Sequence, residues 1–470
     1  MASARYPDLV PKTSQGPQPS ALRVWGVRPP SSVSLSTLSK APGSSPQRAV
    51  VVCRSGQLGP GRRDNLDRLS TPASVLAING GSSSIKFAVY STAELLKPSL
   101  SGKLDRVGQA GTTLSWRTSQ HGPEQVQSAV PDGEPVAKCL IDWLEVRQEF
   151  AAVRAVGHRV VHGMARTEPA RITPGLLDVL RRATPYAPDH LPREIEIIES
   201  FGARHPRVPQ VACFDTAFHR TMPAVAKLLP LPRRYQANGI QRYGFHGLSY
   251  AYLIEELARA AGPEAARGRV ILAHLGNGAS LAAVRGGESL DTSMGFTPAA
   301  GLVMGTRTGD LDPGVVSFLA RTEQMTALQF HEMVNRESGL LGVSETSSDM
   351  RDLLAREGED GRAAEAVALF CYQAKKWVGA FAAALGGLDT LVFSAGIGER
   401  SAAIRARICE GLGFLGIELH DTRNEAHAAV ISTAVSRVTV RVIPTDEELM
   451  IARSVSRLLR LGEDITETKT

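Results

Sequence analysis

No C-x-x-C pair occurs in the 470 residues, and the five cysteines (Cys53, Cys139, Cys213, Cys371, Cys409) are odd in number and widely scattered. That pattern argues against a disulfide framework or a thiolate zinc site and points to a reducing, cytoplasmic compartment. No apolar run reaches the ~18–20 residues of a membrane span. The longest candidate, residues 363–387, is broken by Lys375 and Lys376. Nor does the body carry an excess of positive charge. The formal +6 resides in residues 1–73, where ten Lys/Arg meet three Asp; residues 74–470 hold 43 basic against 44 acidic side chains. Neither nucleic acid nor a membrane is therefore expected as a partner. The G-x-x-x-x-G-K-[ST] phosphate loop and the protein-kinase HRD and DFG strings are also absent.

Residues 1–73 hold 10 of the 28 prolines and 12 serines, with little apolar periodicity. Such a stretch cannot bury enough surface to fold, so a disordered extension is expected, with a short tail at 463–470. It lacks the apolar core of a secretory signal. Its composition suits an organellar transit peptide or a start codon assigned too far upstream, and no methionine lies between Met1 and Met164.

Order is expected from Val75. Residues 75–78 read as a buried strand, 79–84 as a tight polar turn and 86–90 as a returning strand. The same unit recurs at 270–274, 276–278 and 280–284, suggesting a duplicated architecture with a nucleotide between two lobes. Helices are expected at 136–150, 192–204, 249–261, 325–337, 363–385, 401–411 and 447–460, from apolar residues at i, i+3, i+4 spacing. Strands alternating with helices give an α/β fold. The lobes are expected to meet within 215–232, giving an N-terminal lobe 74–215, completed by a C-terminal helix at 446–462, and a nucleotide-binding lobe 216–445. Thr445 reads as that helix's N-cap, with Glu448 closing a capping box and Glu447 left for a cation.

Several strings carry chemistry. GLGFLG at 411–416 matches a dinucleotide fingerprint but follows a helix, so it reads as a helix end and turn. GHRVVH at 157–162 reads as a strand whose parity puts His158, Val160 and His162 on one face and Arg159 with Val161 on the other. An arginine beside a small apolar residue marks either a surface edge or a pocket for an anion with an apolar end. NGGSSSIK at 79–86 can cradle a phosphate with backbone N–H groups, hydroxyls and Lys86, or form an ordinary hairpin turn. Asp215 ends an apolar strand as a candidate base, magnesium ligand or helix cap. RYGFHG at 242–247 is dense in functional groups, as is the Gly-rich stretch 291–312 with Arg307. SAGIGE at 394–399 suits a strand-to-helix turn around a nucleotide.

Together these strings resemble the acetate kinase family, in the family's order, over about residues 75–455. The resemblance implies two duplicated actin-like, ribonuclease H-like lobes with a nucleotide cleft, paired as a homodimer, and reversible transfer of the ATP γ-phosphoryl group to acetate. It implies ATP/ADP as co-substrate and Mg2+ as cofactor. Asn79 and Glu447 match magnesium positions. Lys86, Ser82 and Ser84, residues 274–278 (His274, Leu275, Gly276, Asn277, Gly278), 349–351 (Asp349, Met350, Arg351) and 396–400 (Gly396, Ile397, Gly398, Glu399, Arg400) match nucleotide contacts. Arg159 matches the arginine that holds the carboxylate. Val161, Phe245, Pro298 and His190 match the remaining acceptor contacts. Asp215 matches the catalytic aspartate, and His246 and Arg307 the transition-state stabilisers.

A carboxylate is already a nucleophile, so the task is to join two anions and neutralise the transferring oxygens. Asp215 then reads as a magnesium- or water-positioning group rather than an obligatory base. The chain departs from the family's A-P-L-H-N-P at Asp189 and Leu191, from G-F-H-G-T-S-H at Leu248 and Tyr250, from A-G-I-G-E-N at Arg400 and from L-S-G-x-S at Glu345. The first departure bears on the acyl acceptor, with propionate or another short acid as the alternative. A silent nucleotide-binding regulator would be marked by loss of His246 or Arg307, and both are present.

Overall fold

The computed structural model describes residues 72–81, 84–93, 97–107, 111–119, 122–127 and 135–461. The proposed extension, the 463–470 tail and Ser82 lie outside the described residues. Thirteen strands among the described residues form two sheets. The first holds β1 (Ser74–Gly80), β2 (Ser84–Ser91), β3 (Pro98–Asp105), β4 (Thr113–Thr118), β5 (Glu124–Gln127), β6 (Val153–Val160), β7 (Ala170–Arg171) and β8 (Gln210–Phe214), in the order β5-β4-β3-β2-β1-β6-β8-β7. The second holds β9 (Arg269–Leu275), β10 (Ala279–Arg285), β11 (Glu288–Thr292), β12 (Thr390–Ser394) and β13 (Thr439–Val442), in the order β11-β10-β9-β12-β13.

The duplication is visible in these orders. In the first sheet β3-β2-β1 is an antiparallel meander, and β6 and β8 then run parallel to β1. In the second, β11-β10-β9 is the same meander, followed by β12 and β13 parallel to β9. Parallel neighbours require crossover helices, which cover both sheet faces.

Strand parity decides what each face meets. Leu76 and Ile78 of β1 pack with Leu140, Ile141 and Leu144 of the helix Val136–Glu145 and with Ile197 and Phe201 of the helix Leu191–Arg204. Val75 and Ala77 face Leu449, Ile451 and Val455 of the C-terminal helix Glu447–Leu459. In the second sheet Val270 and Leu272 meet Tyr250, Leu253 and Leu257 of the helix Gly247–Ala261. Ile271 and Ala273 belong instead to the cluster with Phe370, Val378 and Phe381 of the helix Gly361–Leu385. At ~1.5–3 kcal/mol for each large buried side chain, these layers dominate the folding energy. Gly157 permits a close approach of β6 to the C-terminal helix: a Cβ there would collide with Ile451 and Val455.

Three expectations need correction. The 136–150 stretch is an α-helix only over Val136–Glu145 and is followed by a 3-10 turn over Gln148–Ala152. The N-cap of the last helix is Asp446, which accepts from Leu449 N at 2.8 Å, and not Thr445. Thr445 is engaged elsewhere, its N–H on Glu399 and its hydroxyl on Ser249, and Glu448 faces Asn79 instead of closing a capping box. The 325–337 segment is an α-helix only over Ala327–Glu332, and continues as a π turn over Met333–Glu337. Its wider turn seats the loop before Arg307's neighbours, with Thr306 Oγ1 donating to Asn335 O at 2.8 Å.

Candidate active site

The ends of β1, β6 and β8 and the start of the Gly247–Ala261 helix converge on Asp215. This residue follows β8 and is fully buried. Its Oδ2 accepts from Arg159 Nη2 at 2.7 Å and from His246 N at 2.9 Å, and its carbonyl accepts from Gly247 N at 2.9 Å. The cap and the site carboxylate are thus one residue, since Asp215 satisfies N–H groups at a helix N-terminus that precedes no cap of its own. Burial pushes its carboxyl up, but the Arg159 guanidinium and these N–H groups outweigh it and hold it below the usual carboxylate range.

Arg159 donates its other terminal nitrogen to Gly80 O at 2.9 Å and is nearly buried, so the pocket alternative for the Arg159 and Val161 face holds rather than the surface edge. β6 itself ends at Val160, and beyond it Val161 N donates to Glu194 Oε2 at 3.0 Å. His158, on the opposite face, pairs with Gln210 at 2.7 Å.

His246 takes a left-handed φ of 59° where the chain enters its helix. Its Nδ1 lies 2.8 Å from Ser280 Oγ, and its ring stacks on His274 at 4.1 Å. Burial, with His274, Arg159 and Arg307 around it, holds the imidazole well below its usual value, so it is neutral at pH 7. Arg307 donates to Pro298 O at 2.9 Å. Burial and the nearby Arg159 bring its guanidinium down to about 10, still charged. A Cβ on Gly278 would stand 3.4 Å from His246 Nε2 and 3.7 Å from both terminal nitrogens of Arg307, so this glycine faces the space both side chains border. His190 is pushed down to about 3 by burial and by the charges of Arg307 and Arg159. Phe245 and Val161 are buried in the same core cluster.

A second group gathers at Asn79, whose amide nitrogen donates to Glu447 Oε2 at 2.7 Å and to Glu448 Oε1 at 2.8 Å. Burial works to lower Lys86, yet Glu448 and Glu447 leave it raised. Burial and Glu447 raise Glu448 despite Lys86. Two carboxylates and a carboxamide oxygen are hard donors of the kind Mg2+ takes beside substrate phosphates, and this donor set fits that ion. No cluster of three or more His, Cys, Asp or Glu suited to a metal occurs among the described residues.

The nucleotide-motif residues flank these groups. The 276–278 turn joins β9 to β10, closed by Gly276 N on Gly278 O at 3.0 Å, while Leu275 places its side chain in the core. Asn277 O accepts from Gly305 N at 3.0 Å. Gly396, Ile397, Gly398, Glu399 and Arg400 form the helix Ala395–Arg400 directly after β12, and Glu399 Oε1 accepts from Thr445 N at 3.1 Å. Asp349 caps the helix Met350–Arg356, Met350 is buried, and Arg351 is exposed and folds back on Asp349. Ser84 accepts from Gly81 N through its carbonyl at 2.7 Å.

Four contributors escaped the sequence reading. Glu448 was assigned to a cap; Glu194 is a carboxylate in the apolar phase of the Leu191–Arg204 helix, which is itself a signal. Ser280 and Tyr250 look like ordinary strand and helix residues. Asp189, whose direction the sequence leaves open, turns to His331 and Arg336, each at 3.1 Å.

The sequence profile of the Acetokinase family matches residues 74–453. The acetate kinase of Rhodopseudomonas palustris is 44% identical over 393 residues, 82% of this chain and 98% of that protein. The propionate kinase of Citrobacter rodentium is 42% identical over 390 residues, 82% and 96% of the two chains. Among solved structures, the Porphyromonas gingivalis acetate kinase superposes with a TM-score of 0.74 at 36% identity, covering 82% of this chain and 100% of that one. A Francisella tularensis propionate kinase gives 0.76 at 34% identity, covering 81% and 98%. With the duplicated sheets and nearly full-length agreement, this chain belongs to the acetokinase family.

Proposed function

We propose that this chain is an acetate kinase, with Arg159, Asp215, His246 and Arg307 as its catalytic groups. The observation that carries the assignment is the convergence of the buried Arg307 guanidinium and the neutral His246 imidazole on the space beside Gly278, with Arg159 joined to His246 N through Asp215 Oδ2. An acetate oxygen attacks the γ-phosphorus, the bond from that phosphorus to the β-bridging oxygen breaks, and its electron pair leaves with ADP. Arg159 holds the acceptor carboxylate, and Asp215, kept ionised, orients Arg159. Arg307 and His246 Nε2 offer donors to the equatorial oxygens as charge spreads over them. No base is needed. The 276–278 turn and the Ala395–Arg400 helix supply backbone N–H groups toward the nucleotide, and Lys86 a charge.

Asn79 and Glu447, with Glu448 beside them, would hold Mg2+, which would supply charge neutralisation for the phosphates. Acetate is favoured over longer acids because Asp189, the departure that questioned it, is bound to His331 and Arg336 rather than left to the acyl group. A cytoplasmic setting accords with the buried thiols of Cys213, Cys371 and Cys409 and with the lack of any described helix long and apolar enough to cross a membrane. The division into lobes at 74–215 and 216–445, the first completed by the C-terminal helix, is supported by the two sheets, whose strands lie within Ser74–Phe214 and Arg269–Val442.

The test is hydroxamate formation by the full chain with ATP and Mg2+ on acetate, propionate and butyrate. Acetate should give the highest kcat/KM, and Arg307→Ala should lose ~10²–10³-fold in kcat. A longer acid coming out best would move the substrate and keep the mechanism. Silence with all three would leave a nucleotide-binding protein.

A further inference from the structure

Tyr250 stands one helical turn after His246, its N–H donating to His246 O at 3.0 Å, at a position where the family string carries histidine. Its side chain is fully buried, and its hydroxyl lies 2.5 Å from Ser280 Oγ. Ser280, equally buried on β10, lies 2.8 Å from His246 Nδ1. The three groups form a line from a phenol through a hydroxyl to the imidazole.

We propose that Tyr250 is a positioning residue for His246, acting through Ser280 to place the imidazole proton on Nε2, the nitrogen that faces the phosphoryl space. The inference rests on the role given to His246 above. A phenol has one proton to give, and Ser280 Oγ is the acceptor within its reach among the described residues. The serine keeps a second lone pair, but if that pair accepted Nδ1–H the serine proton would be buried with no acceptor among the described residues; given to His246 Nδ1 it is satisfied, and Nδ1 must then be unprotonated. A neutral ring with a bare Nδ1 carries its proton on Nε2. The reverse relay would have Nδ1–H donate to Ser280 and Ser280 to the phenol oxygen. It would leave the tyrosine proton buried with no acceptor, and would aim a bare nitrogen lone pair at phosphoryl oxygens.

The surroundings keep the relay in one direction. Burial raises the Tyr250 hydroxyl far above its usual value, so it stays a donor at every working pH. Arg159, Arg307, His274 and His219 all oppose a second proton on His246. The histidine therefore acts as a neutral hydrogen-bond donor whose tautomer is fixed from behind, rather than as a cation.

Two substitutions cut the line at different links, Tyr250→Phe and Ser280→Ala. Tyr250→Phe keeps the ring that packs 5.8 Å from Phe218 and 5.7 Å from His219. The readouts on the full chain are the 15N shifts of the His246 ring at pH 7.5 and steady-state kinetics with acetate and ATP. Wild type should show Nε2 protonated and Nδ1 bare. Either variant should show mixed tautomers and about a tenfold lower kcat, with both KM values within about twofold of wild type, since the donor is misdirected rather than removed. If one variant fails to fold, the other carries the same test. Nδ1 protonated in wild type overturns the proposal, and so does a kcat loss with the tautomer unchanged. Absence of phosphoryl transfer in wild type would sink the functional reading instead, while the nitrogen shifts would still report on the relay.

Discussion

Glu194 lies 4% exposed, with Val161 N–H on one carboxyl oxygen and, among the described residues, no partner on the other. Burial pushes its carboxyl up to about 8, against Arg159 and the Val161 N–H, which pull it down, and with Asp215 adding to the rise. At pH 7 the group is therefore mostly neutral, and Arg159 keeps its charge for an incoming carboxylate. Above pH 8 a second negative charge develops behind the acceptor site. The KM for acetate should be level from pH 6.5 to 7.5 and climb beyond 8, whereas Glu194→Gln, which can still accept from Val161, should stay level. Glu194→Ala leaves a buried N–H without its acceptor, at ~1–3 kcal/mol, and should raise that KM about tenfold at pH 7. Steady-state KM profiles of the three proteins decide it; an alkaline climb in the Gln variant would assign the titration to another group. Gly278 offers a separate check. A methyl group 3.4 Å from His246 Nε2 occupies phosphoryl space, so Gly278→Ala should lower kcat by ~10-fold or more while the melting temperature holds.

The helix Gly314–Thr322 carries Val315, Val316, Phe318 and Leu319 yet buries none of its residues, and Phe318 is 56% exposed. Leu311 and Leu328 are exposed beside it in sequence. An apolar helix that no element among the described residues covers would fit the interface expected of a homodimer. Light scattering should give a dimer for wild type and a monomer for Phe318→Glu; a monomeric wild type would remove the assignment. Elements of this kind were readable from sequence because their signals are local. The paired strand–turn–strand units at 75–90 and 270–284 and five of the seven helical stretches needed only period-2 and period-3.6 apolar patterns. What failed was decided by contacts far along the chain. Thr445 was spent on Glu399 and Ser249, which moved the cap to Asp446 and freed Glu448 for Asn79, 369 positions away. The site shows the same division. Arg159 and Asp215 were legible from strand parity and strand end, but roles for Asp349 and Arg400 came from resemblance alone, and Tyr250, Ser280 and Glu194 acquire theirs only when the sheets meet.

Desolvation that tunes the site also sets how the whole molecule responds to pH. Burial lowers His158, His162 and His219 to about 4 and, with Arg307 and Arg159, His190 to about 3; His246 and His274 are lowered as well, all from 6.5. Lowered histidines mean that the unfolded chain takes up protons first as pH falls. Their contribution is complete above 6.5 and is lost on acidification from there toward 4, each by up to ~1.4 kcal/mol per pH unit. Glu194 works in the other direction. The unfolded chain releases its proton near 4.5 and the folded one holds it to about 8, so its contribution falls as pH rises across that span. Six lowered histidines against the raised carboxyls of Glu194, Glu448 and Asp291 leave the acid side steep and the alkaline side shallow, with greatest stability near pH 6.5. Urea unfolding at pH 5, 6.5 and 8 should place the highest midpoint at 6.5 and the lowest at 5. Glu194→Gln should flatten the decline from 6.5 to 8 and leave the acid limb in place, because the histidines that make it are untouched. A midpoint unchanged between pH 6.5 and 5 would mean that these imidazoles are not held neutral, and the neutral donor assigned to His246 would lose its basis with them.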